Sequence, residues 1–182
     1  MIASCAGMDV PNPAAPDSRE LRPITGPVTD VAGLELRAVS WKKQLDAPLT
    51  VSQTIDPAGG TISMPETGLT IEFPAGAVTT AVTITVTADP NYVAYKMDPA
   101  GTQFLKDVRV TQLLNTTSVL DLPLLSQLYV AYIPDDSVSL SGILPVLELE
   151  PSTTIFSLLS PLFPQAEVWT IRHFSRYILA SG

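Results

Sequence analysis

Cysteine is nearly absent from this chain, and the single one present, Cys5, excludes both an intramolecular disulfide and a zinc site built from several cysteines. Histidine is as scarce: His173 stands alone, and no Gly-x-Ser-x-Gly segment accompanies it, so there is no independent case for a hydrolase triad. Basic residues are few, 10 Lys and Arg against 18 Asp and Glu, and the net charge of -8 repels phosphate backbones. Because the densest basic cluster is the pair Lys42-Lys43, nucleic acid is not expected as a partner. No apolar run approaches the roughly 18 to 20 residues that a membrane-crossing helix needs. Helical periodicity is rare as well, since the 17 prolines interrupt most windows where it would develop.

What is present is enough apolar material for a core. Hydrophobic residues make up 46% of the 182 positions and charged ones 15%, a balance that folds rather than staying disordered. The length suits one domain plus a tail. Residues 1 to 30 have a tail's composition. Ile2-Ala3-Ser4-Cys5 has the form of a bacterial lipobox, an aliphatic residue and two small ones before a cysteine that takes lipid. Pro11, Pro13, Pro16, Pro23 and Pro27 then make an extended, solvated tether. On this reading Cys5 anchors the domain to the outer side of a bacterial membrane, in the periplasm or at the cell surface. The alternative is an ordinary N-terminal segment with a free or buried thiol.

Beyond the tail, from 31 to 182, short alternating runs bounded by Gly, Pro, Asp and Asn predict an all-β fold, an antiparallel β-sandwich. Strands are expected over 34 to 41, 51 to 55, 61 to 64, 69 to 73 and 82 to 86. The last has the clearest pattern: Val82, Ile84 and Val86 face one way and Thr83, Thr85 and Thr87 the other. Further strands are expected over 92 to 97, 108 to 114, 128 to 133, 167 to 172 and 175 to 180. One short helical turn is expected near 152 to 160, where Ile155, Phe156, Leu158 and Leu159 follow Ser152 and precede Pro161.

Three segments together resemble the opening of the ZU-five domain: Ile55-Asp56-Pro57-Ala58-Gly59-Gly60-Thr61-Ile62, then 68 to 78, which begins Gly68-Leu69-Thr70-Ile71, then Val82-Thr83-Ile84-Thr85-Val86. Asp98-Pro99-Ala100-Gly101-Thr102-Gln103-Phe104 is similar to a later turn of that family, and the likeness resumes at His173-Phe174-Ser175-Arg176-Tyr177. The family occurs in zonula occludens scaffolds, netrin receptors, ankyrins and bacterial surface proteins. The resemblance implies a β-sandwich that binds other proteins rather than turning over a small molecule. The stretch from 115 to 166 departs from the pattern, so function carried there is outside the likeness.

The same resemblance raises one chemical possibility, because some ZU-five domains cut themselves between the Phe and Ser of a His-Phe-Ser tripeptide. Carried over, Ser175 is the nucleophile, His173 the base, and Phe174 supplies the carbonyl that is attacked. The competing and preferred expectation is that Phe174 and 177 to 179 fill the core in the closing strand. No catalytic residue, cofactor or metal is then expected. Asp89, Asp135 and Asp136 lack the ligand spacing of a calcium loop and suit turn capping.

The expected function is therefore non-enzymatic: a protein-binding or scaffold module, of the kind that stabilises a membrane-protein complex as a peripheral subunit. Between 137 and 166 only Glu148 and Glu150 are charged, and Ile155, Phe156, Leu158, Leu159, Leu162 and Phe163 form the candidate partner-binding surface. Carbohydrate or cell-wall binding is the alternative, and it would require Trp41, Trp169 or Tyr92 exposed on one face.

Overall fold

Alternating side chains set the strands of the computed structural model, which describes residues 35–123, 126–133, 137–146, 148–158 and 163–182. In chain order these are β1 (Arg37–Ala38), β2 (Leu49–Ile55), β3 (Gly60–Met64), β4 (Leu69–Phe73), β5 (Val82–Ala88) and β6 (Ala94–Asp98). They continue with β7 (Gln103–Leu113), a short 3-10 turn at Ser118–Asp121, β8 (Leu128–Ile133), β9 (Glu148–Glu150), β10 (Ser152–Phe156), β11 (Pro164–His173) and β12 (Arg176–Ser181). The fold is an all-β sandwich of two antiparallel sheets. The first sheet runs β2-β5-β6-β12-β8-β9 with β1 paired to β12, and the second runs β10-β11-β7-β4-β3.

The principal core lies between the sheets. Ile84 and Val86 of β5 meet Ile62, Met64, Leu69, Ile71, Val110 and Trp169, while Thr83, Thr85 and Thr87 turn outward. Those threonines pair with Thr54, Ser52 and Thr50 across β2 through hydroxyl hydrogen bonds of 3.0, 2.8 and 3.0 Å. One buried polar bridge joins the sheets: the Tyr95 hydroxyl of β6 donates to Gln112 Oε1 of β7, and Gln112 Nε2 donates to the carbonyls of Thr67 and Leu113. With every member satisfied, such a network fixes how the sheets face one another.

A second apolar cluster lies on the opposite face of the first sheet. Leu36, Leu140 and Leu144 pack there against Ala94, Ala131, Ile133, Leu149, Ile178 and Ala180. This covering explains why β12 reads as the unbroken apolar run Tyr177-Ile178-Leu179-Ala180, since both of its faces are buried.

Most expected strands are present with shifted ends. The first shrinks to two residues, and its flanks bond elsewhere: the Leu36 carbonyl accepts the Leu144 amide, and the Trp41 amide donates to the Asn91 carbonyl. The strand expected from 92 begins at Ala94, because Asp89 caps the preceding turn by accepting the amides of Asn91 and Tyr92. The strand expected from 108 begins at Gln103, where His173 pairs with it beyond a bulge.

The helical turn expected near 152 to 160 is overturned. Ser152–Phe156 is an extended edge strand, paired antiparallel with β11 from Ser152↔Trp169 onward. Thr153, Thr154 and Ile155 are β-branched, and a neighbouring strand satisfies their backbone groups, which a helix of one or two turns cannot do well.

Candidate functional site

Two crossings between the sheets bring distant residues to one edge of the sandwich. Pro151 carries the chain from β9 in the first sheet to β10 in the second, and 174–175 carry it back from β11 to β12. The inter-sheet space at this edge holds polar and ionisable groups beside apolar ones.

In β9, Leu149 belongs to the outer cluster, so alternation turns Glu148 and Glu150 toward the opposite sheet. There they meet His173, at the end of β11. One ligand atom from each of Glu148, Glu150 and His173 lies within 4.8 Å of the others. Tyr132 and Tyr177 complete the group, each with its ring against the imidazole, at centroid separations of 5.5 and 6.1 Å. The Tyr177 hydroxyl donates to the His173 carbonyl at 2.9 Å and lies 3.3 Å from Nδ1. Partial burial, and then the neighbouring Glu148 charge, push the Glu150 carboxyl up to about 7. Burial, followed by the charges of Glu150 and Glu148, holds the Tyr177 phenol far above its ordinary range.

Farther along the inward row of β11, Glu167 is only 1% exposed. Burial raises its carboxyl above the ordinary value, against the opposing pull of the Ser152 and Thr154 hydroxyls. Thr154 Oγ1 donates to Glu167 Oε2 at 2.6 Å. Glu167 forms part of a cavity of about 500 Å³, whose apolar wall includes Leu120, Leu128, Phe156 and Phe163. On the same row Trp169 Nε1 is buried and has no hydrogen-bond partner among the described residues.

The candidate partner surface is borne by this edge in part. Ile155 and Phe156 of β10, with Leu158 and Phe163 beside it, are exposed. Leu159 and Leu162 lie outside the described residues. The other large apolar residues of that stretch divide: Leu140, Leu144 and Leu149 are buried in the outer cluster, and Ile143 is exposed. Among the described residues β10 is also the terminal strand of its sheet, paired on one side only. An exposed edge with apolar side chains is a template for another extended segment.

The His-Phe-Ser tripeptide spans the bend between β11 and β12 rather than an extended strand. Phe174 is buried, edge-on to Phe73 and Phe104, with ring centroids 6.1 and 4.7 Å away. Its carbonyl accepts the Gly101 amide at 3.0 Å, and its amide donates to the Thr102 carbonyl at 2.9 Å. The His173 ring Nδ1 and carbonyl both face the Tyr177 hydroxyl.

Trp41 and Trp169 are both buried in the inter-sheet core, and Trp41 Nε1 donates to the Asp89 carbonyl at 2.7 Å. Neither ring offers a face for stacking on a sugar. Cys5 and the tether, like Asp135 and Asp136, fall outside the described residues.

The Glu148, Glu150 and His173 group was not legible in sequence, because 23 positions separate Glu150 from His173 and only the two crossings join them. One local signal was available: two glutamates at a two-residue spacing in an otherwise uncharged stretch share one face of a strand. In comparisons with known proteins, no family model matches the chain and no curated protein matches it.

Proposed function

We propose that this chain is a non-enzymatic binding module that takes a protein partner along its β10 edge. The observation that carries the reading is the concentration of exposed Ile155, Phe156, Leu158 and Phe163 around a strand edge unpaired among the described residues and around a cavity. An extended partner segment would gain main-chain hydrogen bonds from β10 and place apolar side chains against Phe156 and Phe163. The resemblance of 50 to 110 to ZU-five domains supports a scaffolding role. The lipobox form of Cys5 and its tether support placement at the outer face of a bacterial membrane, beside a membrane-protein complex.

A photo-crosslinking residue placed at Phe156 in the full chain, in its own cell, should capture a discrete partner that the same residue at outward-facing Thr83 does not. With the cross-linker kept at Phe156, the double change Ile155→Glu and Phe163→Glu should abolish that capture while leaving far-UV circular dichroism unchanged. Equal capture at both positions, or none at Phe156, overturns the reading. A denatured mass reduced by residues 175 to 182 would instead identify processing between Phe174 and Ser175.

A further inference from the structure

We propose that Glu148, Glu150 and His173 form a binding site for one divalent transition-metal ion of the zinc type. Three features point to it. The first is the donor set: two carboxylates and one imidazole, each presenting one ligand atom within 4.8 Å of the others, half-buried between the sheets. Oxygen and imidazole nitrogen donors around a zinc ion, at roughly 2.0 to 2.2 Å each, lie about 3.5 Å apart in a tetrahedron. To bind the ion, the two glutamate side chains would close the remaining gap.

The second feature is the group that orients the imidazole. The Tyr177 hydroxyl has one hydrogen, and it is directed at the His173 carbonyl 2.9 Å away. Its oxygen is then an acceptor facing Nδ1 at 3.3 Å, which places the ring proton on Nδ1 and leaves the Nε2 lone pair free. A metal-bound histidine is commonly held in this way, through its other ring nitrogen.

The third is charge. Glu148 and Glu150 stand on the same face of a three-residue strand, so their like charges face one another at partial burial. Neither takes part in the ion pairs Lys96–Asp98, Arg109–Glu72 or Arg172–Asp107. A divalent cation removes that repulsion. An imidazole among the ligands favours zinc or a similar transition ion over calcium or magnesium, which take oxygen donors.

Three protein ligands leave a position for water or for a donor from outside. The ion also links the two sheets, since Glu148 and Glu150 belong to the first and His173 to the second. Its structural effect would be to staple the β9 to β10 crossing against the end of β11. The ion site and the proposed partner surface use different residues of this edge, and either reading can fail without the other.

The test is calorimetric titration of the chelator-treated full chain with zinc chloride, together with the visible spectrum of its cobalt(II) form. One equivalent should bind, the melting temperature should rise, and cobalt should give the intense bands of a low-coordinate site. Glu150→Gln and Glu148→Gln should each weaken zinc by more than about 100-fold, and Tyr177→Phe, which removes only the orienting hydroxyl, by roughly 10-fold. Glu72→Gln, on the surface of the second sheet, should change nothing. If Glu150→Gln does not fold by circular dichroism, Glu148→Gln and Tyr177→Phe decide. Absence of stoichiometric binding, or equal loss in Glu72→Gln and the site variants, overturns the proposal.

Discussion

Burial disfavours the charged form of a carboxyl, and this shapes how single residues of this protein respond to pH. Glu167 is raised by burial, and Glu150 by burial and then by Glu148, to about 7. Both folded values lie above that of an unfolded glutamate, about 4.5. Folding therefore takes up protons between the two values. The resulting stabilisation is complete below the unfolded value and is lost as pH rises through the folded one. In chelator, the melting temperature should fall from pH 5 to pH 8. Glu167→Gln, which imitates the protonated acid, should melt above the parent at pH 8, with the difference shrinking toward pH 5. Calorimetry at the two pH values checks this, and a difference of equal size at both would contradict the assignment to Glu167. Glu150 acts in the same direction, so the flattening in Glu167→Gln is partial.

At the scale of elements, the turns decide which strands meet. Gly59 has φ +89°, a conformation that costs an ordinary residue about 1 to 2 kcal/mol, and a Cβ there would fall 2.3 Å from the Phe73 carbonyl oxygen. Gly101 has φ +78° with nothing within 4 Å of an added Cβ. Gly101→Ala should thus cost about 1 kcal/mol, from strain alone. Gly59→Ala should cost more than about 2 kcal/mol, since the β3 to β4 pairing must also shift. Urea midpoints compare the two, and equal costs would show that the close approach to Phe73 relaxes freely.

The elements also show where reading from sequence succeeds. Val82 to Val86 alternates without interruption, so its two faces and its pairing surface were legible before any partner was known. The stretch 152 to 160 predicts a helical turn because its apolar residues bunch after a serine. The extended form of Ser152–Phe156 comes from β11, a neighbour that no local pattern announces. The three-residue β9 is too short for any period to emerge.

For the molecule as a whole, two apolar layers share the strands β8 and β12. Val130, Tyr177 and Leu179 face the inter-sheet core, and Ala131, Ile133, Ile178 and Ala180 face the outer cluster closed by Leu140 and Leu144. A layer that shares strands with the main core should unfold with it. Leu144→Ala should cost about 2 to 3 kcal/mol, the lower part of the range for buried leucine, because the covering segment can settle into the space. Trp41 and Trp169 both report on the inter-sheet core, so their fluorescence midpoint in denaturant should move by the same amount as far-UV circular dichroism. An unchanged tryptophan midpoint would mean that the outer layer opens independently.

The sequence by itself determined the fold class, most of the strands and the chain's acidic character, because period-two alternation, Pro and Gly turn chemistry and net charge are local or additive properties. It also marked 137 to 166 as unusually apolar, without assigning its residues to core or surface. Tertiary structure alone made that division, burying Leu140, Leu144 and Leu149 and leaving Ile155, Phe156, Leu158 and Phe163 exposed. It alone brought Glu148 and Glu150 to His173 and placed Glu167 beside a cavity. Those outcomes depend on which strands cross between the sheets and which strand lies at an edge, and contacts between residues far apart in the chain set both.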